Sequence, residues 1–475
     1  MRGRVYFTFL ALVLVSSSVF SVVALSKSNH KFLEKIVSRA DETVKSIESV
    51  FHKKIVNDSN TAQPKQWAVL VAGSNGYYNY RHQADICHAY QVLRRHGIPA
   101  DNIITLMYDD IANSTENPTK GIIINEPNGE NVYEGVRKDY VGKDVTPETF
   151  LKVISGDIRG LRGVGSGRVL LSGPSDHIFI NFVDHGAPGL LAFPNGELHA
   201  RTFLDTLLDM YHRKQFAKLV LYIEACESGS MFEDLLSDNL NIFVTTAANA
   251  HEHSFACYFD SNRDTYLGDV YSVMWMEDSE KEDLTKETLF RQFSIVRKET
   301  NTSHVQEYGD LSIGKMKVGE FQGKAKSPVA SNGRTWVSPL LDAVPSGDVP
   351  LAILRHKLQR SNSSPESANI QRKLRRIEKK RQHLKDTLRK IVLKATEDEA
   401  KTEFILNGRL KLTNFSCYEE LVHAFSQRCF HLPKNEYAYR HLFVLVNMCQ
   451  SSIPKEVIIR AMDEVCQPRK YTGII

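Results

Sequence analysis

Residues 219–226 read Leu-Val-Leu-Tyr-Ile-Glu-Ala-Cys, and residues 178–186 read Ile-Phe-Ile-Asn-Phe-Val-Asp-His-Gly. Both are short apolar runs, and runs of this length read as strands buried on both faces. Each delivers one reactive side chain at its carboxyl end, Cys226 on one and His185 on the other. A thiolate is a nucleophile, and a nearby imidazole lowers the thiol pKa or takes its proton. The pair is therefore what thiol-based hydrolysis requires.

Further strands are expected at 67–72, 103–108 and 241–246, and helices at about 82–96, 149–154, 200–211 and 284–298. In the first helix Ala84, Cys87, His88, Val92 and Leu93 fall near helical spacing. Residues 109–145 are rich in Asn, Pro and Gly and read as a long surface loop. Strands alternating with helices predict an α/β fold with a mainly parallel sheet covered on both sides. Ligands of such sheets sit beyond the carboxyl ends of the strands, which puts Cys226 and His185 on the active face. Asn181 is a polar residue inside an apolar strand, with a neighbouring backbone group as its expected partner.

The chain has 475 residues, enough for a large core and two domains. Its net charge of +4 conceals an asymmetry. From Arg360 onward 22 Lys/Arg face 13 Asp/Glu, whereas the preceding part has 38 against 43. The basic tail thus has an acidic partner within its own chain. At the amino terminus Arg2 and Arg4 precede an apolar run from Val5 to Leu25, with small residues Val22 and Ala24 before a cleavage point. This predicts a signal peptide over 1–24 and a polar pro-segment over 25–64. No later run is long enough to span a bilayer, so no stable membrane insertion is expected. Secretion gives meaning to the N-x-S/T sequons at Asn57, Asn113, Asn301, Asn362 and Asn414. Of seven cysteines, Cys417, Cys429, Cys449 and Cys466 cluster near the end and predict two disulfides, in any of three pairings. Cys87 and Cys257 read as buried thiols.

After residue 323 the character changes. Residues 324–350 carry Pro328, Pro339, Pro345 and Pro350 among Gly and Ser and read as a linker. A basic helix over about 368–395 follows, with an apolar stripe of Leu374, Ile377, Leu384, Leu388, Ile391 and Ala395 interrupted by Arg381. Helices at 418–425, 437–449 and 454–465 complete an all-α, disulfide-stapled bundle. The domain plan is 65–323 for the catalytic part, 324–365 for the linker and 366–475 for the bundle. In a secreted chain the basic helix reads as a solvated or domain-docking face, not as a nucleic-acid site.

Several motifs are long and specific: Ala72-Gly-Ser-Asn-Gly76, Asn79-Tyr-Arg-His-Gln-Ala-Asp85, Tyr108-Asp-Asp110, Asp184-His-Gly186, Glu224-Ala-Cys-Glu-Ser-Gly-Ser230, Thr245-Thr-Ala-Ala248 and Tyr266-Leu-Gly-Asp269. With the cysteine-bearing tail they resemble the legumain family of asparaginyl endopeptidases, in the caspase-like clan of cysteine peptidases, from Trp67 to the carboxyl terminus. The resemblance implies a caspase-like sheet and a zymogen whose tail caps the active face. Cys226 attacks the scissile carbonyl, His185 protonates the leaving amine, and Asn79 orients the imidazole. Backbone amides of Gly186 and Cys226 are candidates for the oxyanion site. A carboxamide needs a donor and an acceptor, which Arg81 and Asp269 supply, with Glu224 completing a narrow charged pocket. His82 and Ser254 belong to the same substrate-binding group. Aspartate becomes acceptable once protonated, so acid widens the specificity.

The resemblance further implies that Arg440 and His441 fill the substrate site, and that acid triggers a cut in the linker after Asn362, with Asn332, Asp342, Asp348 and Asn369 as alternatives. A glycan on Asn362 argues against that choice. The implied location is the secretory pathway, ending in a lysosome or acidic vacuole or outside the cell. The implied partners are peptide and protein substrates, the chain's own prodomain and cystatin-like inhibitors. One departure stands out: legumains usually carry Ser-Ser where this chain has His253-Ser254. No cofactor or metal is expected. Gly163-Val-Gly-Ser-Gly167 lacks the Lys-Ser/Thr of a phosphate loop, and His251, His253 and Cys257 lack a fourth zinc ligand. Two other readings are a peptide ligase using the same acyl-enzyme and a non-enzymatic binding protein acting through the basic tail.

Overall fold

The computed structural model describes residues 64–324, 338–466 and 472–475. The expected signal peptide, nearly all of the pro-segment, Asn57 and Asn332 lie outside the described residues.

The core element is a six-stranded sheet, built from β1 (Gln66–Ala72), β2 (Ile103–Leu106), β3 (His177–Val183), β7 (Lys218–Glu224), β8 (Ile242–Thr246) and β11 (Gln306–Gly309). Its order is β11-β8-β7-β3-β1-β2. All neighbours run parallel except β11 against β8. The strands are buried on both faces, which is why they read as continuous apolar runs without alternation. Helices α1 (Tyr80–Arg95), α2 (Pro147–Ser155), α3 (Ala200–His212), α4 (Val270–Lys281) and α5 (Leu289–Glu299) accompany the sheet, followed by the short α6 (Gly319–Gln322). Asn181 is accommodated by donating from Nδ2 to the Tyr222 carbonyl on the next strand at 3.1 Å.

Two three-stranded sheets decorate this core. One consists of β4 (Gly186–Ala187), β5 (Leu190–Phe193) and β6 (Gly196–His199), the other of β9 (Phe255–Asp260), β10 (Thr265–Asp269) and β12 (Val344–Pro345). None of these strands follows from periodicity, because each is short and its burial comes from neighbours remote in sequence. Helix α4 is unpatterned for a related reason: nearly all of its residues are buried, so no polar face marks it. The helix expected at 284–298 starts later, where Thr288 caps the first turn by accepting from Arg291 N. The stretch 109–145 has no helix or strand beyond a turn at Gly142–Asp144, as read. It is not merely superficial, since Ile123, Ile124, Val132 and Tyr140 are buried in the core.

The stretch read as a linker is ordered from residue 338. It contains a turn at Pro339–Leu341, strand β12, a turn at Ser346–Asp348 and helix α7 (Val349–Arg360). Proline is compatible with all of this: Pro339 and Pro350 occupy first-turn positions, where no amide hydrogen is needed, and Pro345 is in an edge strand.

The tail comprises α8 (Ser364–Thr396), α9 (Glu399–Asn407), α10 (Phe415–Arg428), α11 (Phe443–Gln450) and α12 (Lys455–Val465). The helix expected at 437–449 is divided: Glu436–His441 is a tighter turn and α11 starts at Phe443. Of the three pairings, the structure makes Cys417–Cys449 and Cys429–Cys466. The tail's apolar core is continuous with Ala187, Leu190 and Ala192 of the β4–β5 hairpin, and Phe415 and Leu412 pack into the catalytic core. Arg381, which interrupts the stripe of α8, is buried and paired with Asp348 at 2.8 Å. None of the described helices is long and apolar enough to cross a membrane.

Candidate active site

The parallel register of β3 and β7 aligns Val183 with Glu224, and Asp184 N donates to the Glu224 carbonyl at 3.0 Å. Two positions beyond this pair on the adjacent chains are His185 and Cys226, so pairing brings the two reactive side chains to one edge. Close backbone approach seals the arrangement. A Cβ on Gly186 would lie 2.2 Å from the Cys226 carbonyl oxygen, so no other residue fits there without displacing the Cys226 main chain. Glu227, directly after the nucleophile, takes a left-handed φ of 54°, turning the chain sharply as it leaves the strand.

The imidazole and thiol are each held by other groups in this tail-docked state. His185 Nε2 lies 3.1 Å from Asn79 Oδ1 and 3.3 Å from Glu436 Oε2, and Ser346 Oγ lies 3.5 Å from its Nδ1. Asn79 Nδ2 also donates to both Glu436 carboxylate oxygens at 3.1 Å. Cys226 Sγ is 3.7 Å from Ser254 Oγ. Burial pushes the thiol up to about 12, against a lowering contribution from Ser254. Burial opposes protonation of His185, but the charge and hydrogen bond of Glu436, helped by Asp184, outweigh it and raise the imidazole above its ordinary value. The docked tail therefore favours imidazolium beside a neutral thiol. An imidazolium cannot accept the thiol proton.

Beside this pair is a charged socket. Arg81 is fully buried on α1, donates from Nε to Asp269 Oδ1 at 2.9 Å, and donates from Nη2 to Ser346 Oγ at 2.7 Å. Glu224 Oε2 accepts from Ser272 N and Oγ at 2.9 and 3.1 Å. Asp85 is equally buried and accepts from Asn125 Nδ2 at 2.7 Å. Burial first, and mutual repulsion second, raises Asp85 and Glu224 well above the usual carboxylate range. Asp269 is raised by burial and partly restrained by Arg81. With one guanidinium among three carboxyls, such a site presents both a cation and hydrogen-bonding carboxyl groups at close quarters.

The remaining expected residues are distributed as follows. His82 supports the site from behind: Nδ1 is 2.6 Å from Ser74 Oγ and 3.2 Å from Asp184 Oδ1, Nε2 is 3.6 Å from Asp269 Oδ2, and its ring meets that of His185 edge-on. His82, Asp184 and His185 bring one ligand-type atom each within 4.8 Å of one another. Arg440 donates to Asp348 at 2.9 Å. His441 packs on Tyr437 and Phe443 within the tail, and it is Glu436, on the same turn, that contacts His185. Asn362 is exposed between α7 and α8; Asn113, Asn301 and Asn414 are also exposed. Cys87 and Cys257 are buried, as read.

Sequence reasoning missed Glu436 and Ser346, read Asp348 only as an alternative cut site, and gave no role to Asp85 although it ends the Asn79–Asp85 motif. Asp85 was findable as a carboxylate one helical turn after Arg81, on the same face. Ser346 reaches the socket because its segment extends the β9 edge, with Val344 opposite Ala256 and Ser346 N donating to the Ser254 carbonyl at 2.9 Å. Nothing local in the sequence announces that addition.

Comparison with known proteins agrees with this architecture. The peptidase C13 family model matches residues 66–324 and the legumain prodomain model matches residues 372–466. Legumain from Homo sapiens is 53% identical, covering 85% of this chain and 93% of that protein. A hemoglobinase from Schistosoma japonicum is 41% identical, with 86% and 95% covered. The vacuolar-processing enzyme delta-isozyme from Arabidopsis thaliana is 40% identical, with 87% and 92% covered. A solved caspase-1 structure from Spodoptera frugiperda matches 52% of this chain and 86% of its own at 9% identity and a TM-score of 0.30, too low to bear on the fold. A thiol and an imidazole on adjacent strand ends, a charged socket beside them and a disulfide-stapled tail across both agree with the matched models, and the chain belongs to the peptidase C13 family, as a legumain-type cysteine peptidase with its own prodomain.

Proposed function

We propose that the enzyme hydrolyses peptide bonds after asparagine, and after aspartate in acid, once its tail has been released. The observation that carries this reading is the socket in which Arg81 meets Asp269 at 2.9 Å, beside the Cys226 and His185 strand ends. A substrate carboxamide would place its oxygen on the Arg81 guanidinium, where Ser346 Oγ now sits, and its NH2 on Asp269. An apolar side chain would leave these buried groups unpaired, so the socket excludes it. A neutral aspartic acid imitates the carboxamide, whereas an aspartate anion meets Asp269 and Glu224.

Asn79 occupies Nε2 of His185, which leaves Nδ1 to take the proton from Cys226 and hand it to the leaving amine. The thiolate attacks the carbonyl carbon, and the amides of Gly186 and Cys226 receive the oxyanion. Water then resolves the thioester. In the zymogen Glu436 favours protonation of His185, which works against proton uptake from Cys226, and Ser346 of the linker occupies the Arg81 guanidinium until substrate displaces it.

The activating cut falls after Asn362, which is exposed between two helices. Of the alternatives, Asp342 accepts from Tyr258 N and Phe259 N, Asp348 is paired with Arg381 and Arg440, and Asn369 is inside α8. The enzyme enters the secretory pathway, acts in an acidic lysosome or vacuole, carries glycans on the exposed sequons at Asn113, Asn301 and Asn414, and is controlled by cystatin-like inhibitors. Mass spectrometry of the acidified protein with a peptide library, with Cys226→Ala as control, tests the reading. Cleavage after residues other than Asn and Asp, or cleavage by the Cys226→Ala protein, would overturn it.

A further inference from the structure

Residues 472–475 lie against the turn that carries Glu436. Gly473 N donates to the Lys434 carbonyl at 2.8 Å, Ile474 N to Asn435 Oδ1 at 3.2 Å, and Tyr437 N to the Ile474 carbonyl at 3.1 Å. The residues on both sides of Glu436 are therefore tied to one short segment. Ile474 is fully buried in the core of the tail bundle. Gly473 has a φ of 75°, in the left-handed region that favours glycine.

Two adjacent cations on α8 complete the seat. Lys380 Nζ donates to the Thr472 and Gly473 carbonyls at 2.9 and 3.0 Å. Arg381 donates from Nε to the Ile475 oxygen at 2.9 Å, from Nη2 to the Gly347 carbonyl at 2.6 Å and from Nη1 to Asp348 at 2.8 Å. Its guanidinium lies 3.8 Å above the Tyr437 ring. One side chain thus joins this segment, the turn that precedes α7 and the turn that bears Glu436.

We propose that residues 472–475 form a latch, occupying a dedicated groove between α8 and the Lys434–Tyr437 turn, whose function is to hold Glu436 on His185 and Asn79. The groove recognises a short peptide by its main chain, by a glycine in the left-handed conformation and by one buried aliphatic side chain. Losing the segment frees the backbone on both sides of Glu436 while leaving both disulfides in place. Trimming or displacement of this segment is then a route to activation separate from cutting the linker.

This proposal rests on the inhibitory reading of Glu436, and the experiment separates the two. Full-length zymogens carrying Ile474→Asp, Gly473→Val, a deletion of 472–475, or Glu436→Ala are acidified, and the rate of linker cleavage is followed. The latch predicts acceleration of about tenfold for Ile474→Asp and for the deletion, given what a fully buried aliphatic side chain contributes. It also predicts that a peptide of sequence Tyr-Thr-Gly-Ile-Ile added to the deletion variant slows activation again, and that the same peptide with Asp for its first Ile does not. Acceleration by Glu436→Ala without any effect of the 472–475 variants overturns the latch and leaves the Glu436 reading standing. If Glu436→Ala is itself inert, the inhibitory reading falls. A deletion variant that is accelerated but indifferent to the added peptide overturns the latch by showing only general loss of tail stability.

Discussion

The catalytic edge and the tail that covers it are secured by different physics. At the edge, parallel register and a glycine packed against a carbonyl place Cys226 beside His185, and neither feature involves a residue of the tail. The tail holds its own shape through two disulfides and reaches the site with Glu436 on His185, while its Arg381 and Arg440 clasp the Asp348 carboxylate of the preceding linker. One region is built to keep its geometry and the other to be removed as a unit. The contrast shows how a chain can carry a complete thiol site and keep it idle: the docked state alters proton positions and fills a pocket, without disordering the machinery.

Predictions that challenge this contrast range from abolition to fine adjustment. Cys226→Ala removes hydrolysis of an Asn-containing fluorogenic peptide by at least about a thousandfold, with unchanged tail docking by gel filtration. Residual turnover at the wild-type rate would break the assignment of the edge. Asp269→Asn is expected to lower kcat/KM for Asn peptides by about a hundredfold, because an acceptor for the substrate NH2 is lost while Arg81 stays in place. Arg81→Ala goes further and lowers stability by about 3–5 kcal/mol, since it leaves buried carboxyls without their cation; chemical denaturation measures it.

On the tail side, replacing Cys417 and Cys449 by serine is expected to cost about 2–5 kcal/mol of tail stability and to speed activation, with little effect on the kcat of the released enzyme. A change in that kcat would blur the separation between the two regions. Asp348 sharpens the pH dependence. Burial pushes its carboxyl up, but hydrogen bonds and charge from Arg440 and Arg381 outweigh this and hold it below its ordinary value. A depressed carboxylate contributes stability above its unfolded pKa, and the contribution is lost as pH falls through the folded pKa. Asp348→Asn removes that contribution at neutral pH, so the midpoint of acid activation moves upward by a fraction of a unit. The smallest effect is expected at His253. Burial, aided by Arg440, lowers it to about 4, so it is neutral in mild acid while the tail is docked. His253→Ser is expected to change kcat/KM of the released enzyme by no more than about threefold.

Much of the catalytic edge was legible because strand pairing is a short-range rule. Two apolar runs ending in His-Gly and Ala-Cys needed only adjacency to form a site, and parallel register supplied it. The socket was legible through Arg81, Glu224 and Asp269, but Asp85 went unassigned because its role comes from sharing a buried space with Asp269. The tail read well as helices, since α8 and α12 carry one apolar face each. What covers the site did not read well. His441 packs within the tail and Glu436 contacts His185, a choice made by the local turn at Glu436–His441 that helical periodicity cannot resolve.

By itself the amino-acid sequence determined the parallel core, the presence of a thiol and an imidazole at strand ends, the charged residues of the socket and the helical, disulfide-bearing tail. These depend on local burial, periodicity and residue chemistry, which are written residue by residue. Only the tertiary structure decided which cysteines pair, that Val344–Pro345 extends the β9 edge and sets Ser346 on Arg81, and that Glu436 holds the His185 imidazole. Those outcomes join residues from 88 to 265 positions apart in the chain, apart from the disulfides at separations of 32 and 37, and follow from surfaces that exist only once both regions have folded.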